Sequence, residues 1–350
     1  MVRPQPKFLR LQLPIFFTSL NKLSSVLLLL PCIVWSLYKS RKIIHVTPYF
    51  VFQAYKKLYL YTRGYSEIVF RFLFPPWNCD NATPFRDLEL VHSSLSENGF
   101  SRFTFDDVRL VSEFLNSAQS LPFRGRCDRD IVSFKDLSTN LASLIGRYDA
   151  ISSDLFANAG FARIVTCDNI REFALSALGK DAVITSALVW ASFPTANFAQ
   201  RSLSAQVYHV DFDFIDDIKV FILLSDSSVL DGPLEYIPKT HKPWHHKIFT
   251  LSEIDETSIS SRFDKSRFMY FTGEVGDSYV SNNRGIHRDC PPAKDHFKIE
   301  MQINLARSRF GDEHHILKRR PVLSVKYPSY GIWAQALDAS PMLYSMLFSR

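Results

Sequence analysis

The feature that most constrains the fold is a change in the sequence pattern near residue 182. After this point short apolar stretches follow one another, with turn-forming residues between them. Asp231-Gly232-Pro233, Gly273 and Gly276 mark such turns. The predicted strands are Val183–Phe193, Ala205–Phe214, Ile218–Leu224, Leu234–Ile237, Arg267–Phe271, Asp277–Val280 and Phe297–Ala306. Short strands joined without helices are typical of antiparallel barrels and sandwiches, including the jelly roll. The pattern therefore predicts an all-β core.

Helical patterns dominate before that point and define the predicted domain limits. Asp87–Asn98, Asp106–Ser117 and Asp168–Leu178 have helical patterns, and Gly99 and Gly179 follow the first and third as stop signals. A cluster of prolines and turn formers from Pro75 to Pro84 marks a boundary. We predict an N-terminal segment at 1–84, a catalytic domain at 85–320 with helices flanking the β core, and a helical C-terminal extension at 321–350.

The N-terminal segment carries the basic character of the chain. Residues 1–80 contain eleven Lys and Arg against Glu67 and Asp80, a charge of +9, whereas the whole chain has +6. The apolar run 26–35 is shorter than the roughly 20 residues of a spanning helix. A helix on the membrane surface, a core helix and a span all remain open, and we favour peripheral membrane association through residues 1–45.

Two further classes of protein are disfavoured by the sequence. Basic, aromatic-rich stretches occur near Tyr55, but no nucleic-acid recognition motif accompanies them, so we expect no nucleic-acid partner. The five cysteines are odd in number and form no CxxC pair, which disfavours a zinc knuckle or a disulfide framework. We therefore expect a reducing, cytoplasmic location.

His209-Val210-Asp211 is the first candidate for chemistry. In a strand, side chains at i and i+2 point to the same face, so His209 and Asp211 can approach one ion together. Two histidines and one carboxylate on one face of an iron leave positions open for cosubstrate and oxygen. A third ligand must come from elsewhere in the chain, and His241 and His287 are both candidates.

The order of motifs around these histidines resembles the phytanoyl-CoA dioxygenase family of Fe(II)- and 2-oxoglutarate-dependent oxygenases. The resemblance rests on Gln206-Val207-Tyr208-His209-Val210-Asp211, Lys219-Val220-Phe221-Ile222-Leu223-Leu224-Ser225-Asp226, Asp231-Gly232-Pro233-Leu234-Glu235-Tyr236-Ile237-Pro238-Lys239-Thr240-His241-Lys242, Gly276-Asp277, and Asn283-Arg284-Gly285-Ile286-His287-Arg288-Asp289-Cys290-Pro291-Pro292. It covers about residues 200–306. It implies a double-stranded β-helix of the cupin-like, jelly-roll type, with iron held by His209, Asp211 and His287.

The resemblance also implies a basic residue on the strand after His287 that binds the distal carboxylate of 2-oxoglutarate. Lys298 stands where the family usually has arginine. Lysine offers a point charge instead of the two parallel hydrogen bonds of a guanidinium. Lys298 also belongs to a polar strand face, which is solvated in most proteins but would line the interior of a cosubstrate-binding barrel. Arg288 is the alternative partner, although its side chain should face away from that of His287.

The resemblance implies a dioxygenase that uses Fe(II), 2-oxoglutarate and O2 to hydroxylate a small-molecule or lipid-linked substrate. Two alternatives remain open. One is a catalytically silent binding protein that keeps the cupin fold. The other is a metal-dependent cupin enzyme that does not use 2-oxoglutarate, which would be favoured if Lys298 did not act as a partner of the cosubstrate carboxylate.

Overall fold

The computed structural model describes residues 88–306, except 140, 142, 179–181, 212–216 and 243–252. The predictions for the N-terminal segment 1–84, for membrane association through residues 1–45 and for the extension 321–350 lie outside the described residues. The domain limits therefore stay predictions. None of the helices in the described ranges has both the length and the apolar character needed to cross a membrane.

The helices lie mostly in the first half of the described chain. They are α1 (Leu88–Asn98), α2 (Val108–Ser117), α3 (Ser152–Ala157), α4 (Ala159–Val165), α5 (Asp168–Leu178), α6 (Phe198–Leu203) and α7 (Glu256–Ser260), with 3₁₀ turns at Phe134–Asp136 and Lys265–Arg267. Helix α1 ends where predicted, since Gly99 takes a positive φ of 87°. Asn197 begins α6 by accepting a hydrogen bond from the Gln200 amide.

The strands form two antiparallel sheets. They are β1 (Phe100–Phe103), β2 (Pro122–Gly125), β3 (Ile131–Ser133), β4 (Arg147–Ala150), β5 (Val183–Ser192), β6 (Asp217–Leu223), β7 (Leu234–Tyr236), β8 (Met269–Tyr270), β9 (Ser278–Ser281), β10 (His287–Asp289) and β11 (Lys298–Ala306). The large sheet has the order β1-β9-β6-β11-β5-β4-β2-β3, and the small sheet has the order β10-β7-β8. The long strand β11 lies between β5 and β6 at the centre of the large sheet.

The two faces of β11 explain why the large sheet is covered on both sides. Ile299, Met301, Ile303 and Leu305 alternate along one face and belong to the main apolar core, which also contains residues of α2, α4 and α5. Burial of each such side chain stabilises the fold by about 1.5–3 kcal/mol. The opposite face is polar and is also buried. This second face is therefore an interior wall and not a solvated surface.

The small sheet covers that polar wall. A second apolar cluster joins Trp190 and Phe221 of the large sheet to Leu234 and Tyr236 of β7. A large and a small antiparallel sheet thus face each other, with helices packed on the outer face of the large one. This arrangement confirms the predicted double-stranded β-helix with flanking helices.

Some predicted elements are wrong in their details. The predicted strand at 205–214 is not a regular strand in its described part: Tyr208 and His209 make only isolated bridges, to Ile254 and His287. Strands β2, β3 and β4 and the short strand β10 have no period-2 signal long enough to predict them. They form because neighbouring strands provide the hydrogen-bonding partners that their own sequences do not specify.

Candidate metal centre

Two of the predicted ligands are joined through their own backbones. The amide of His209 donates to the carbonyl of His287 over 2.9 Å, and the amide of His287 donates back to His209 over 3.0 Å. Residues that exchange both hydrogen bonds stand directly opposite each other in an antiparallel pair. Their ring centroids consequently lie only 4.4 Å apart, although the two residues are 78 positions apart in the sequence. The main chain alone brings the two imidazoles together.

Asp211 completes the group two residues further along. Its amide donates to the Asn283 carbonyl over 2.8 Å, so this segment runs alongside the chain that leads into β10. Its carboxylate lies 3.7 Å from Nε2 of His209 and 3.5 Å from Nε2 of His287. One ligand atom from each of the three residues lies within 4.8 Å of the other two. The predicted i, i+2 relationship therefore exists, although the segment is an extended connection and not a full strand.

The hydrogen bonds of the imidazoles fix which nitrogen faces the centre. Nδ1 of His209 lies 2.8 Å from the Val207 carbonyl oxygen, and Nδ1 of His287 lies 2.9 Å from that of Gly285. A carbonyl oxygen only accepts, so each Nδ1 must carry the proton. The Nε2 lone pairs then point toward Asp211, which is the tautomer a metal requires. The two imidazole nitrogens and the carboxylate therefore form a ligand set of the 2-His-1-carboxylate type, which fits a divalent metal ion.

Two side chains that sequence reasoning missed contact these ligand atoms. The ammonium of Lys219 forms an ion pair with Oδ2 of Asp211. The amide nitrogen of Asn283 lies 3.1 Å from Nε2 of His287 and 3.4 Å from Oδ2 of Asp211. Both groups donate to the lone pairs that a cation would bind. Lys219 and Asn283 therefore contact the same ligand atoms that a metal ion would contact, and Lys219 supplies positive charge there.

The electrostatics of the group keep the ligands in the forms that bind a metal. Burial alone would raise the pKa of Asp211, but Lys219 and the two imidazoles outweigh it and hold the pKa well below its usual range. Burial, reinforced by the nearby ring of His287, lowers the pKa of His209. The carboxylate is thus ionised and the His209 imidazole is neutral at physiological pH, as metal binding requires.

A cavity of about 240 Å³ opens onto the three ligands. It is smaller than the ~300–1,000 Å³ of pockets that enclose drug-sized ligands, so it suits a small molecule. Both sheets contribute to its wall. Gln302 and Asn304 line it from the polar face of β11, Trp190 and Phe221 line it from β5 and β6, and Arg126, Arg147 and Lys219 add basic groups.

Lys298 lies on the same interior face of β11 but is not among the residues that line this cavity. Its ammonium is fully buried and donates to Asp289 over 2.9 Å and to Glu300 over 2.7 Å. Burial lowers the pKa of Lys298, but these two carboxylates outweigh it and raise the pKa. Its role toward a cosubstrate stays a prediction.

The other candidates lie away from the cluster. Arg288 faces the opposite way from His287, as expected, and donates to Glu235 over 2.6 Å. His241 packs against α1, with Nε2 3.2 Å from the Ser96 carbonyl oxygen, and is not part of the group of ligands.

Comparison with known proteins yields structural likenesses alone. No model of a protein family matches the sequence, and no curated protein matches it. Similar solved structures include the non-heme monooxygenase ThoJ, with 16% identity, a TM-score of 0.43 and coverage of 62% of this chain and 76% of that one. The alpha ketoglutarate dependent epimerase SnoN from nogalamycin biosynthesis, in complex with Fe3+ and alpha ketoglutarate, has 15% identity, a TM-score of 0.42 and coverage of 63% and 83%.

EctD from S. alaskensis, solved with 2-oxoglutarate and 5-hydroxyectoine, has 15% identity, a TM-score of 0.43 and coverage of 66% of this chain and 78% of that one. Similarity at this level does not transfer an activity, so the chemistry of this chain has to follow from its own residues.

Proposed function

We propose that the chain is an Fe(II)- and 2-oxoglutarate-dependent oxygenase that hydroxylates a small-molecule or lipid-linked substrate. The proposal depends on one observation above all. His209, Asp211 and His287 bring one ligand atom each to within 4.8 Å of one another, and both imidazoles are held in the tautomer that binds a metal. These three residues would hold the iron, and all of them border the same cavity.

Ferrous iron with bound 2-oxoglutarate and O2 supplies an oxidant that can hydroxylate an unactivated C–H bond. The residues of this chain would orient the metal ligands and limit the access of water to the centre. The carbonyls of Val207 and Gly285 orient the imidazoles, and Asn283 can orient the carboxylate of Asp211. The small sheet, together with Trp190 and Phe221, limits the access of water to the centre.

A binding experiment tests the proposal. Anaerobic addition of Fe(II) and 2-oxoglutarate to the purified protein should produce the visible charge-transfer band of a metal-bound 2-oxo acid. The His209→Ala variant should lose the band, whereas His296→Ala, outside the cluster but also in contact with a carboxylate, should keep it. A band of equal strength in His209→Ala protein would contradict the ligand assignment.

The same experiment separates the two alternative functions. A catalytically silent binding protein would form the band but release no succinate with any panel of substrates. A cupin enzyme that does not use 2-oxoglutarate would bind the metal, measured by calorimetry, and give no band on addition of the 2-oxo acid. Formation of the band together with substrate-dependent succinate release supports the oxygenase.

Peripheral membrane association through residues 1–45 is a separate part of the proposal. It is supported by the basic and apolar character of that segment in the sequence. Full-length protein should cosediment with anionic vesicles and lose this binding at high salt or when residues 1–45 are removed. Equal binding of the shortened protein would exclude this role.

A further inference from the structure

The wall of the cavity contains a buried arginine that the proposed iron site does not use. Arg147 on β4 stands opposite Ser192 of β5, and Ser192 stands opposite Lys298 of β11. Residues directly opposite each other on adjacent strands point to the same face of a sheet. Arg147 and Lys298 are therefore two basic residues on one interior face, one strand apart on either side of Ser192.

The surroundings of Arg147 hold its guanidinium in place and leave hydrogen-bond donors available. Its guanidinium carbon lies 4.0 Å above the ring of Trp190, and its Nε donates to Asp149 over 2.7 Å. The side chain is only 8% exposed. Neither terminal nitrogen has an acceptor among the described residues. A planar fork with two terminal nitrogens matches a carboxylate.

Two neighbouring groups are also short of partners. The indole N–H of Trp190 and the hydroxyl of Ser192 are both buried, and neither has a hydrogen-bond partner in the described part of the chain. Leaving a buried donor unsatisfied costs about 1–3 kcal/mol. A bound ligand that accepts hydrogen bonds from these groups would remove this cost. Trp190 lines the cavity beside Arg147, so a ligand there would reach both.

The charges around Arg147 favour an anion. Arg126 and Arg147 share the carboxylate of Asp149, and Asp289, which lines the cavity and pairs with Lys298, adds a second negative charge near Arg147. The three basic groups exceed these two carboxylates by one positive charge as long as Glu300, whose pKa is raised to about 7, keeps its proton. Lys298 differs, because two carboxylates already contact its ammonium. Lys298 does not line the cavity and already donates to two carboxylates, whereas Arg147 lines the cavity and keeps its terminal nitrogens available.

We infer that Arg147 binds the distal carboxylate of the 2-oxo dicarboxylate, with the indole N–H of Trp190 as a second donor. The inference rests on the proposed function, since it concerns the cosubstrate of the same site. It assigns the task to a residue on β4, on the far side of β5 from the position that the family resemblance implies, Lys298. The cosubstrate would then extend from the three metal ligands along the polar wall to β4.

The test compares two 2-oxo acids that differ only in the distal carboxylate. 2-Oxoglutarate and 2-oxovalerate are titrated anaerobically into Fe(II)-loaded protein, and dissociation constants are measured by the charge-transfer band and by calorimetry. Wild-type protein should bind 2-oxoglutarate ~10- to 100-fold more tightly, the range expected for a charge-assisted pair. In Arg147→Met protein most of the preference should be lost, since the charge-assisted hydrogen bonds disappear and only the neutral indole N–H of Trp190 remains to contact the distal carboxylate.

Several controls keep the outcome interpretable. Arg126 still neutralises Asp149 in the Arg147→Met variant, and Arg147→Met/Asp149→Asn removes both charges if the single variant does not fold. Unchanged affinity for 2-oxovalerate shows that the metal site is intact. Arg147→Lys should keep part of the preference, because a point charge remains. Lys298→Met provides the comparison with the family position.

The possible results separate the inference from the function on which it rests. If wild-type protein gives no band with either acid, the proposed function fails and the inference fails with it. If wild-type protein forms the band and Arg147→Met retains the full preference for 2-oxoglutarate, the inference alone is overturned. Loss of the preference in Lys298→Met but not in Arg147→Met would return the role to Lys298.

Discussion

Replacing Lys219 by methionine tests how much the ammonium of Lys219 contributes to compensating the negative charge of Asp211 in the candidate metal centre. Lys219 is buried on β6 and forms an ion pair with Asp211, whose side chain is 22% exposed. Removing one partner of a buried pair costs about 3–5 kcal/mol, because the other charge is left uncompensated. Partial exposure of Asp211 lets water screen part of that charge, so we expect a loss of ~2–3 kcal/mol in the metal-free protein.

A bound divalent ion should reverse most of this loss. The metal contacts the same carboxylate and provides the missing positive charge, while the repulsion between the ion and the ammonium of Lys219 disappears. We therefore expect metal-loaded Lys219→Met protein to be only ~1 kcal/mol less stable than wild type. By the thermodynamic cycle, the difference of ~1–2 kcal/mol corresponds to about tenfold tighter metal binding by the variant.

Urea unfolding at equilibrium, with and without anaerobic Fe(II), measures the free energies of unfolding, and calorimetry measures the metal affinity independently. Lys239→Met is the matched control, because Lys239 also pairs with a carboxylate, that of Glu97, but both side chains are exposed. Such a pair contributes ~0–1 kcal/mol. The reasoning is refuted if Lys219→Met costs no more than Lys239→Met, or if it weakens metal binding.

Two further predictions concern single residues near the site. Burial, opposed by Lys298, raises the pKa of Glu300 from 4.5 to about 7. The folded state therefore keeps this proton in a pH window where the unfolded chain has lost it. The stabilising contribution of the protonated Glu300 should be complete below pH 4.5 and lost as the pH rises through 7, a change of up to ~3 kcal/mol in the free energy of unfolding. Urea titrations across that pH range should show this change in the wild-type protein and not in Glu300→Gln. Parallel pH profiles of the two proteins would contradict the prediction. A Cβ at Gly285 would overlap the buried ring of Tyr236, so Gly285→Ala should cost ~1–3 kcal/mol in urea unfolding and weaken metal binding through His287. In the control Gly273→Ala the nearest contacts of the added Cβ would all be with the side chain of Asp277, so metal binding should be unchanged.

The sequence predicts the parts of the site that depend on short-range spacing. His209 and Asp211 are two positions apart, and extended backbone is enough to point both side chains the same way. The strands of the β core are long and apolar enough to be recognised, and β6 and β11 lie within about one residue of their predicted limits. The helix at 168–178 was predicted with its observed limits.

The parts that depend on long-range register could not be predicted. Lys219 is eight positions from Asp211, and only the pairing of β6 within the large sheet brings its ammonium to that carboxylate. Arg147 lies in a stretch with no clear period, and it enters the cavity wall only because β4 pairs with β5. The polar face of β11 has the pattern of a solvated surface, and only the small sheet makes it an interior wall.

The reciprocal backbone bonds between His209 and His287 bear on how the proposed metal ion would bind. A zinc finger folds only when the metal is bound, and it unfolds when the metal is removed. Here backbone hydrogen bonds hold the two histidines together without a metal, so the proposed cation would bind to a site that is already formed. Two imidazoles and a carboxylate bind first-row divalent ions in their general order of affinity, so the availability of each metal would contribute to which ion is bound. Metal content after purification should therefore reflect the growth medium.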